Sequence, residues 1–290
     1  MLSRPDFEKL KLGDLMRAMA HDLRTSGIEE PLREAQLICS LSLNLDTLQL
    51  LRADSELLNS RNLDQIWLAF TRRRNREPIA YIFEEVEFYG RSFFIGKGAL
   101  IPRPETEHLI EWVLENHRGK NYKIGIDLCA GPGTIGLTLA LELNIPMTLV
   151  ELSEKAMSWG KKNTIEFNLD FKVKWLRADV TKRLNLPKCD LIVSNPPYVP
   201  LKDLKGLQAE VRDFEPILAL DGGGDGLNFV KHMFLNLESI AQPNCHLYLE
   251  LGQGHQELLE TCDFGPWQCD GWRHDLARIP RIVRYTFKPS

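Results

Sequence analysis

The first 80 residues carry apolar side chains at helical spacing. Two runs show it best, one formed by Leu12, Leu15, Met16, Met19 and Leu23, the other by Leu63, Ile66, Trp67 and Phe70. Spacing of three and four places these side chains on one face of a helix. Gly27 and Pro31 separate the first two helical segments, since glycine commonly ends a helix and proline commonly begins one. We therefore predict a small helical bundle over residues 1–80.

The pattern changes after this bundle. Residues 81–104 are aromatic and contain Gly90, Gly96 and Gly98, which predicts a hairpin or an extended linker. A new helix is predicted from "IPRPETEHLIEWVLEN", where prolines precede the helix and acidic residues fill its first turn. The third segment, residues 105–290, would then form a separate domain.

From residue 123 onward, apolar strand-like runs alternate with helical patterns. Such alternation predicts an α/β fold with a parallel, doubly wound sheet and helices on both faces. The predicted strands are 123–128, 147–152, 171–176, 189–194, 246–251 and 282–287.

Composition and charge narrow the class of protein. Of the 290 residues, 43% are hydrophobic and 26% are charged, and the net charge of −4 gives no overall attraction to nucleic acid. The six cysteines form no C-x-x-C pair, which favours reduced thiols over disulfides or a zinc site. The chain shows no apolar run long enough to span a membrane and no signal-peptide pattern. We expect a cytoplasmic protein without a metal.

A glycine-rich loop follows the first strand of the α/β domain. In "IDLCAGPGTIGL", Gly131, Gly133 and Gly136 match G-x-G-x-x-G, a pattern that lets a backbone approach a ligand at a helix N-terminus. Glu151 ends the second strand, where a carboxylate can accept hydrogen bonds from both hydroxyls of a ribose. Asp179 ends the third, within reach of an adenine amino group. Together they predict an adenosine cofactor, either a dinucleotide or S-adenosylmethionine.

The end of the fourth strand favours methyl transfer. There "SNPPY" places Asn195 where ligands of open parallel sheets bind. A planar nitrogen is a poor nucleophile, and two fixed acceptors for its N–H groups would hold its lone pair towards a methyl carbon. The Asn195 side-chain oxygen and the Pro196 carbonyl can be these acceptors. Pro197 restricts residue 196 to extended geometry, and Tyr198 offers a ring face.

These motifs resemble the HemK/PrmC family of N5-glutamine methyltransferases, which act on peptide chain release factors. The resemblance is carried by "EPIAYIFEEVEFYG", "LIPRPETEHLIEWVL", "IDLCAGPGTIGL", "SNPPYVP" and "EVRDFEPILALDGGGDGLNFV". It implies a Rossmann-like methyltransferase domain with a seven-stranded, mostly parallel sheet, joined to a small all-α N-terminal domain that binds the release factor. The chain departs from the family at Pro132, a position where Ser or Thr is common, at Glu151, where Asp is frequent, and at Arg278, where Gly is frequent.

The resemblance also implies roles for particular residues. S-adenosylmethionine, which becomes S-adenosylhomocysteine, would be bound by Cys129, Ala130, Gly131, Pro132, Gly133, Glu151, Asp179, Val180 and Asn195. The substrate glutamine, in the Gly-Gly-Gln motif of a class I release factor, would be held by Asn195, Pro196, Pro197 and Tyr198, with Asn195 and Pro196 as the catalytic pair. For Arg103, Glu105, Glu210, Arg212 and Glu215, a role in the site and a purely structural role are equally compatible with the sequence.

Other functions explain less of the sequence. A ribosomal-protein glutamine methyltransferase would use the same loop, and a DNA or RNA amino-group methyltransferase would share "NPPY". The nucleic-acid enzyme would need a basic recognition surface that the charge does not suggest. An NAD-dependent dehydrogenase leaves Asn195 without a role, and a non-enzymatic binding module leaves the cofactor loop without one. We expect a monomer that has no nucleic-acid substrate and no membrane contact.

Overall fold

The computed structural model describes residues 2–119 and 123–289. It divides into two compact units, Met1–Glu84 and Glu85–Ser290. The residues predicted as a hairpin or linker fall mostly within the second unit. Within the described part of the chain, no helix combines the length and the hydrophobicity that crossing a membrane requires.

The N-terminal unit is a helical bundle with a core of its own. Phe7, Leu15, Met19, Ile66 and Phe70 are fully buried in it, because their spacing places them on inward helix faces. Its helices are α1 (Arg4–Phe7), α2 (Leu12–Thr25), α3 (Pro31–Leu43), α4 (Thr47–Arg52), α5 (Ser60–Arg74) and α6 (Ile79–Phe83).

Arginines at the end of α5 tie this unit together. Arg72 forms a bidentate pair with Glu77 at 2.8 Å, and Arg73 pairs with Glu34. Arg74 lies over the ring of Phe70, with its guanidinium carbon 5.4 Å from the ring centroid. This arginine cluster therefore stabilises contacts within the bundle.

The second unit contains a hairpin, a helix and an α/β sheet. In chain order its elements are β1 (Glu85–Phe88), β2 (Arg91–Phe94), α7 (Glu107–His117), β3 (Gly125–Leu128), α8 (Thr134–Glu142), β4 (Met147–Glu151), α9 (Glu154–Glu166), β5 (Val173–Arg177), β6 (Cys189–Ser194), β7 (Val199–Pro200), α10 (Ala209–Phe214), β8 (Asp221–Gly223), α11 (Asn228–Leu237), β9 (Ala241–Glu250), α12 (His255–Glu260), β10 (Trp267–His274) and β11 (Pro280–Phe287).

The main sheet confirms the expected seven-stranded, mostly parallel fold. Its strand order is β10-β11-β9-β6-β3-β4-β5, and β11 runs antiparallel to both of its neighbours. The chain moves outward from β3 to β5 and then returns to place β6 on the other side of β3. This reversal opens a crevice beyond the carboxyl ends of β3 and β6, which is where open α/β sheets bind ligands.

The predicted strands agree with the structure in their cores but not at every end. β9 begins at Ala241, five positions before its predicted start, and β10 was not predicted. β10 is an edge strand whose burial does not alternate and whose register shifts twice. The C-terminal turn holds Arg278 at φ 61°, the left-handed conformation that glycine adopts most easily.

Candidate active site

The loop between β3 and α8 turns sharply towards the crevice. Gly131 and Gly133 have φ values of 56° and 86°, and Cys129 adopts φ 60° despite its side chain. A Cβ atom added to Gly131 would meet nothing within 4 Å, so this part of the loop faces open space. Burial raises the pKa of the Cys129 thiol, which leaves it a neutral part of the wall.

Glu151 is held in place by backbone groups of the same region. Its Oε2 accepts the N–H of Gly131 at 2.8 Å, and its Oε1 accepts the N–H of Ser153 at 2.7 Å. The residue is only 9% exposed. Because a carboxylate oxygen has two acceptor sites, each oxygen can accept a further hydrogen bond from a ribose hydroxyl.

Asp179 and Val180 follow β5 at the same edge of the sheet. Oδ1 of Asp179 accepts the hydroxyl of Thr181 at 2.6 Å and its N–H at 3.0 Å, and these hydrogen bonds lower the pKa of Asp179. Val180 is buried. The turn thus presents an ionised carboxylate beside an apolar surface.

One cavity brings many of the predicted cofactor residues together. Its wall includes Cys129, Gly131, Glu151, Asp179, Val180 and Asn195. Ala130, Pro132 and Gly133 lie in the same loop but do not line this wall. Leu100, Leu218 and Phe229 add apolar surface to this wall; they were not predicted, because they lie outside the motifs at the strand ends.

The shape and chemistry of this cavity fit S-adenosylmethionine. The open space beside the glycine loop suits the charged methionine part of S-adenosylmethionine, which would lie close to the backbone. The oriented Glu151 carboxylate suits the ribose. Leu152, Val180 and Phe229 supply apolar walls that suit an adenine ring.

A second cavity also has Asn195 in its wall. It is lined by Leu100, Arg103, Asn195, Tyr198, Val199, Leu207, Gln208, Val211, Ala219 and Leu220. Leu100, Asn195 and Ala219 line both cavities. Asn195 therefore lies where a molecule in one cavity can reach a molecule in the other.

Strand register explains why Asn195 lies beside the glycine loop. Leu128 of β3 pairs with Ser194 of β6, and the Ser194 hydroxyl donates to the Leu128 carbonyl at 2.7 Å. Cys129 and Asn195 are the next residues of the two strands. The Asn195 amide donates through Nδ2 to Thr106 Oγ1 at 3.4 Å, which leaves Oδ1 to accept.

Glycines hold the segment that follows Asn195. β7 pairs with β8, so Val199 lies opposite Asp221. A Cβ atom on Gly222 would lie 2.6 Å from the Tyr198 Cα, and one on Gly226 would lie 2.4 Å from the Tyr198 carbonyl oxygen. The glycine-rich segment "DGGGDG" thus allows two backbones to touch, and this contact fixes the position of Tyr198.

An ion pair joins two of the motifs whose roles the sequence left open. Arg103 donates to Glu215 Oε1 at 2.8 Å, and Oε2 of Glu215 accepts the N–H of Ile101 at 3.2 Å. Burial raises the pKa of Glu215, although Arg103 acts in the opposite direction. Arg212 pairs instead with its neighbour Asp213. The Arg103–Glu215 pair connects the segment before α7 to the wall of both cavities.

Family models and curated relatives both match this chain over most of its length. Residues 14–83 match the PrmC N-terminal domain model, and residues 105–240 match the methyltransferase small domain model. A release factor glutamine methyltransferase of Clostridium acetobutylicum is 32% identical over 94% of this chain and 98% of its own length. The human MTRF1L release factor glutamine methyltransferase is 32% identical over 81% of this chain and 74% of its own.

A solved structure supports the fold. The catalytic domain of hMettl16, crystallised with an RNA hairpin, superposes with a TM-score of 0.55 at 18% identity. The superposition covers 79% of this chain and 82% of that one. At this identity the similarity concerns the fold alone.

Proposed function

Because the chain belongs to the release factor glutamine methyltransferase family, we propose that it methylates N5 of the glutamine in the Gly-Gly-Gln motif of class I peptide chain release factors. S-adenosylmethionine is the methyl donor. The observation that supports this most directly is the position of Asn195 on the wall shared by two cavities, one suited to the cofactor and one open to a side chain.

The chemistry requires positioning more than acid–base catalysis. When bound, S-adenosylmethionine supplies a methyl group made electrophilic by a positively charged sulfur. Asn195 Oδ1 and the Pro196 carbonyl would accept the two N–H groups of the glutamine amide, which raises electron density on nitrogen and aims its lone pair at the methyl carbon. The nitrogen releases its extra proton after the transfer, so no residue need remove a proton beforehand.

The remaining residues hold the two partners in place. Cys129, Gly131, Glu151, Asp179 and Val180 would bind the cofactor, with Ala130, Pro132 and Gly133 shaping the loop. Tyr198, which lines the second cavity, would form the wall against the glutamine side chain, and Pro197, which lines the cofactor cavity, would hold the substrate from that side. Tyr198 is suited to this role because the glycines of "DGGGDG" fix its backbone.

The proposal is tested by incubating the protein with labelled S-adenosylmethionine and a purified class I release factor. We expect one methyl group on the Gly-Gly-Gln glutamine, located by mass spectrometry, and no label in a factor whose glutamine is changed to alanine. Asn195→Ala should lower the transfer rate by at least about 100-fold, because it removes one of two acceptors. Its affinity for S-adenosylmethionine should change little. Label confined to nucleic acid or to a ribosomal protein would overturn the proposal.

We also propose that the helical unit Met1–Glu84 recognises the release factor. Its own buried core supports an independent role in binding. A chain of residues 85–290 should bind S-adenosylmethionine with nearly normal affinity, whereas its KM for the release factor should rise by about tenfold or more. Calorimetry and steady-state kinetics measure the two effects. An equal loss of cofactor and factor binding would contradict a recognition role confined to the helical unit.

The same function fits a monomer in the cytoplasm, where release factors act. A protein substrate also removes the need for a nucleic-acid surface, in keeping with the net charge of −4.

A further inference from the structure

Two buried polar side chains lie behind Asn195. Thr106 ends a short 3₁₀ turn, Pro104–Thr106, and Glu250 ends β9; each is 2% exposed. The parallel register pairs Ser194 of β6 with Leu249 of β9, so Asn195 and Glu250 are the next residues of neighbouring strands. Neither Thr106 nor Glu250 lines the cofactor or the substrate cavity.

These three side chains lie next to one another. Asn195 Nδ2 donates to Thr106 Oγ1 at 3.4 Å. The Glu250 carboxylate, whose buried Oε2 has no hydrogen-bond partner among the described residues, is close enough to the Thr106 hydroxyl for that hydroxyl to lower the Glu250 pKa. An ionised carboxylate only accepts hydrogen bonds, and a hydroxyl has a single proton to donate. If Thr106 donates that proton to Glu250, its oxygen can only accept from Asn195. The amide nitrogen of Asn195 must then face Thr106, and its oxygen faces away.

We propose that Thr106 and Glu250 are positioning residues for methyl transfer: the Glu250 carboxylate orients the Thr106 hydroxyl, which in turn directs Asn195 Oδ1 at the substrate amide. This inference rests on the proposed role of Asn195 as a substrate acceptor. An Asn side chain can otherwise rotate by half a turn and present its NH₂ group to the glutamine, where it would repel the substrate N–H. Thr106 and Glu250 select the productive orientation without touching the substrate.

The charge state of Glu250 makes the arrangement sensitive to pH. Burial raises the pKa of Glu250 to about 7, and Glu105 raises it further, whereas the Thr106 hydroxyl, Arg281 and Arg103 oppose the rise. Arg281 on β11 is itself paired with Asp275 at 3.0 Å, and the neutral Tyr198 phenol also lies near Glu250. Below pH 7 a protonated Glu250 becomes a donor to Thr106. The Thr106 hydroxyl is then free to donate towards Asn195, which favours the wrong amide orientation.

The first experiment removes the hydroxyl. Thr106→Val keeps the shape of the side chain, and Thr106→Ser keeps the hydroxyl. In single-turnover assays at pH 8 we expect Thr106→Val to lower the methyl-transfer rate about tenfold, the equivalent of one hydrogen bond, and Thr106→Ser to recover most of it. The affinity for S-adenosylmethionine should be similar in both variants. Equal rates in wild type and Thr106→Val would overturn the inference.

The second experiment isolates the carboxyl group. Glu250→Gln still offers an oxygen to Thr106 but does not titrate. The wild-type single-turnover rate should fall about tenfold between pH 8 and pH 6, since about one site in ten would remain ionised at pH 6, and the Glu250→Gln rate should stay nearly constant. Identical pH profiles would overturn the inference even if Thr106→Val fails to fold. A wild-type protein that does not methylate release factor would instead contradict the proposed function.

Discussion

At the scale of single residues, orientation matters more than residue type. Glu151 is held by two backbone N–H groups, one from the glycine loop and one from its own turn. Any replacement that puts a donor at either oxygen places two donors face to face. The loop therefore requires a carboxylate at this position, and the proposed contact with ribose requires the same group.

Glu151→Gln should weaken S-adenosylmethionine binding by about tenfold or more, since one hydrogen bond from a ribose hydroxyl to the carboxylate is lost and the new NH₂ group faces a backbone N–H donor. Glu154→Gln is the matched control, because Glu154 lies three positions away with its side chain 78% exposed and paired with Arg177. Isothermal titration calorimetry measures both affinities. If the two variants bind equally well, Glu151 does not hold the ribose.

The positions of Glu151 and Asn195 could be predicted from the sequence because Glu151 ends one strongly apolar strand and Asn195 follows another, and parallel strands deliver their carboxyl ends to one edge. The contribution of Thr106 and Glu250 to the site could not be predicted from the sequence. Their link to Asn195 depends on the order β9-β6 and on the register of those two strands. No local pattern encodes a contact between segments so far apart in the chain.

At the scale of elements, the short pairing of β7 with β8 fixes the loop that follows Asn195. This pairing leaves no room for a side chain at Gly222. An added Cβ would lie 2.5 Å from the Gly226 carbonyl oxygen and 2.6 Å from the Tyr198 Cα. Both contacts are with backbone, so a side-chain rotation cannot relieve them.

Gly222→Ala should therefore displace Tyr198 and lower kcat strongly, and it should lower the free energy of unfolding by about 1–3 kcal/mol. Gly206→Ala is the control, since a Cβ there meets nothing within 4 Å. Chemical denaturation and steady-state assays of the two variants compare the effects. Unaltered turnover in Gly222→Ala would show that the loop tolerates displacement.

Elements differ in how well the sequence predicts them. β3, β4 and β6 are almost entirely buried, so unbroken apolar runs identify them. β10 lies at the edge of the sheet, and most of its residues are partly or fully exposed, so no alternation identifies it. The packing of "DGGGDG" against Tyr198 follows from tertiary contact rather than from local turn chemistry, so the sequence alone does not predict it.

At the scale of the whole molecule, buried acids give folding a dependence on pH. Asp127 of β3 is fully buried beneath the glycine loop, where its Oδ2 accepts the N–H of Gly136 at 2.8 Å. Burial raises its pKa from the ordinary value of 3.8 to about 8. The folded protein thus holds a proton at neutral pH that the unfolded chain releases. Stability from this proton is complete below about pH 4 and is lost as the pH rises to about 8.

Asp127→Asn removes this titration but keeps an oxygen for the Gly136 N–H. Between pH 5 and pH 8 the stability of wild type should fall relative to the variant, by on the order of 1 kcal/mol per pH unit, and the difference should level off above pH 8. Glu250 titrates in both proteins, so its effect cancels in the difference. Urea unfolding at a series of pH values gives the two curves. Parallel curves would mean that Asp127 is ionised in the folded protein, and a cation or donor would then have to stabilise it beneath the glycine loop.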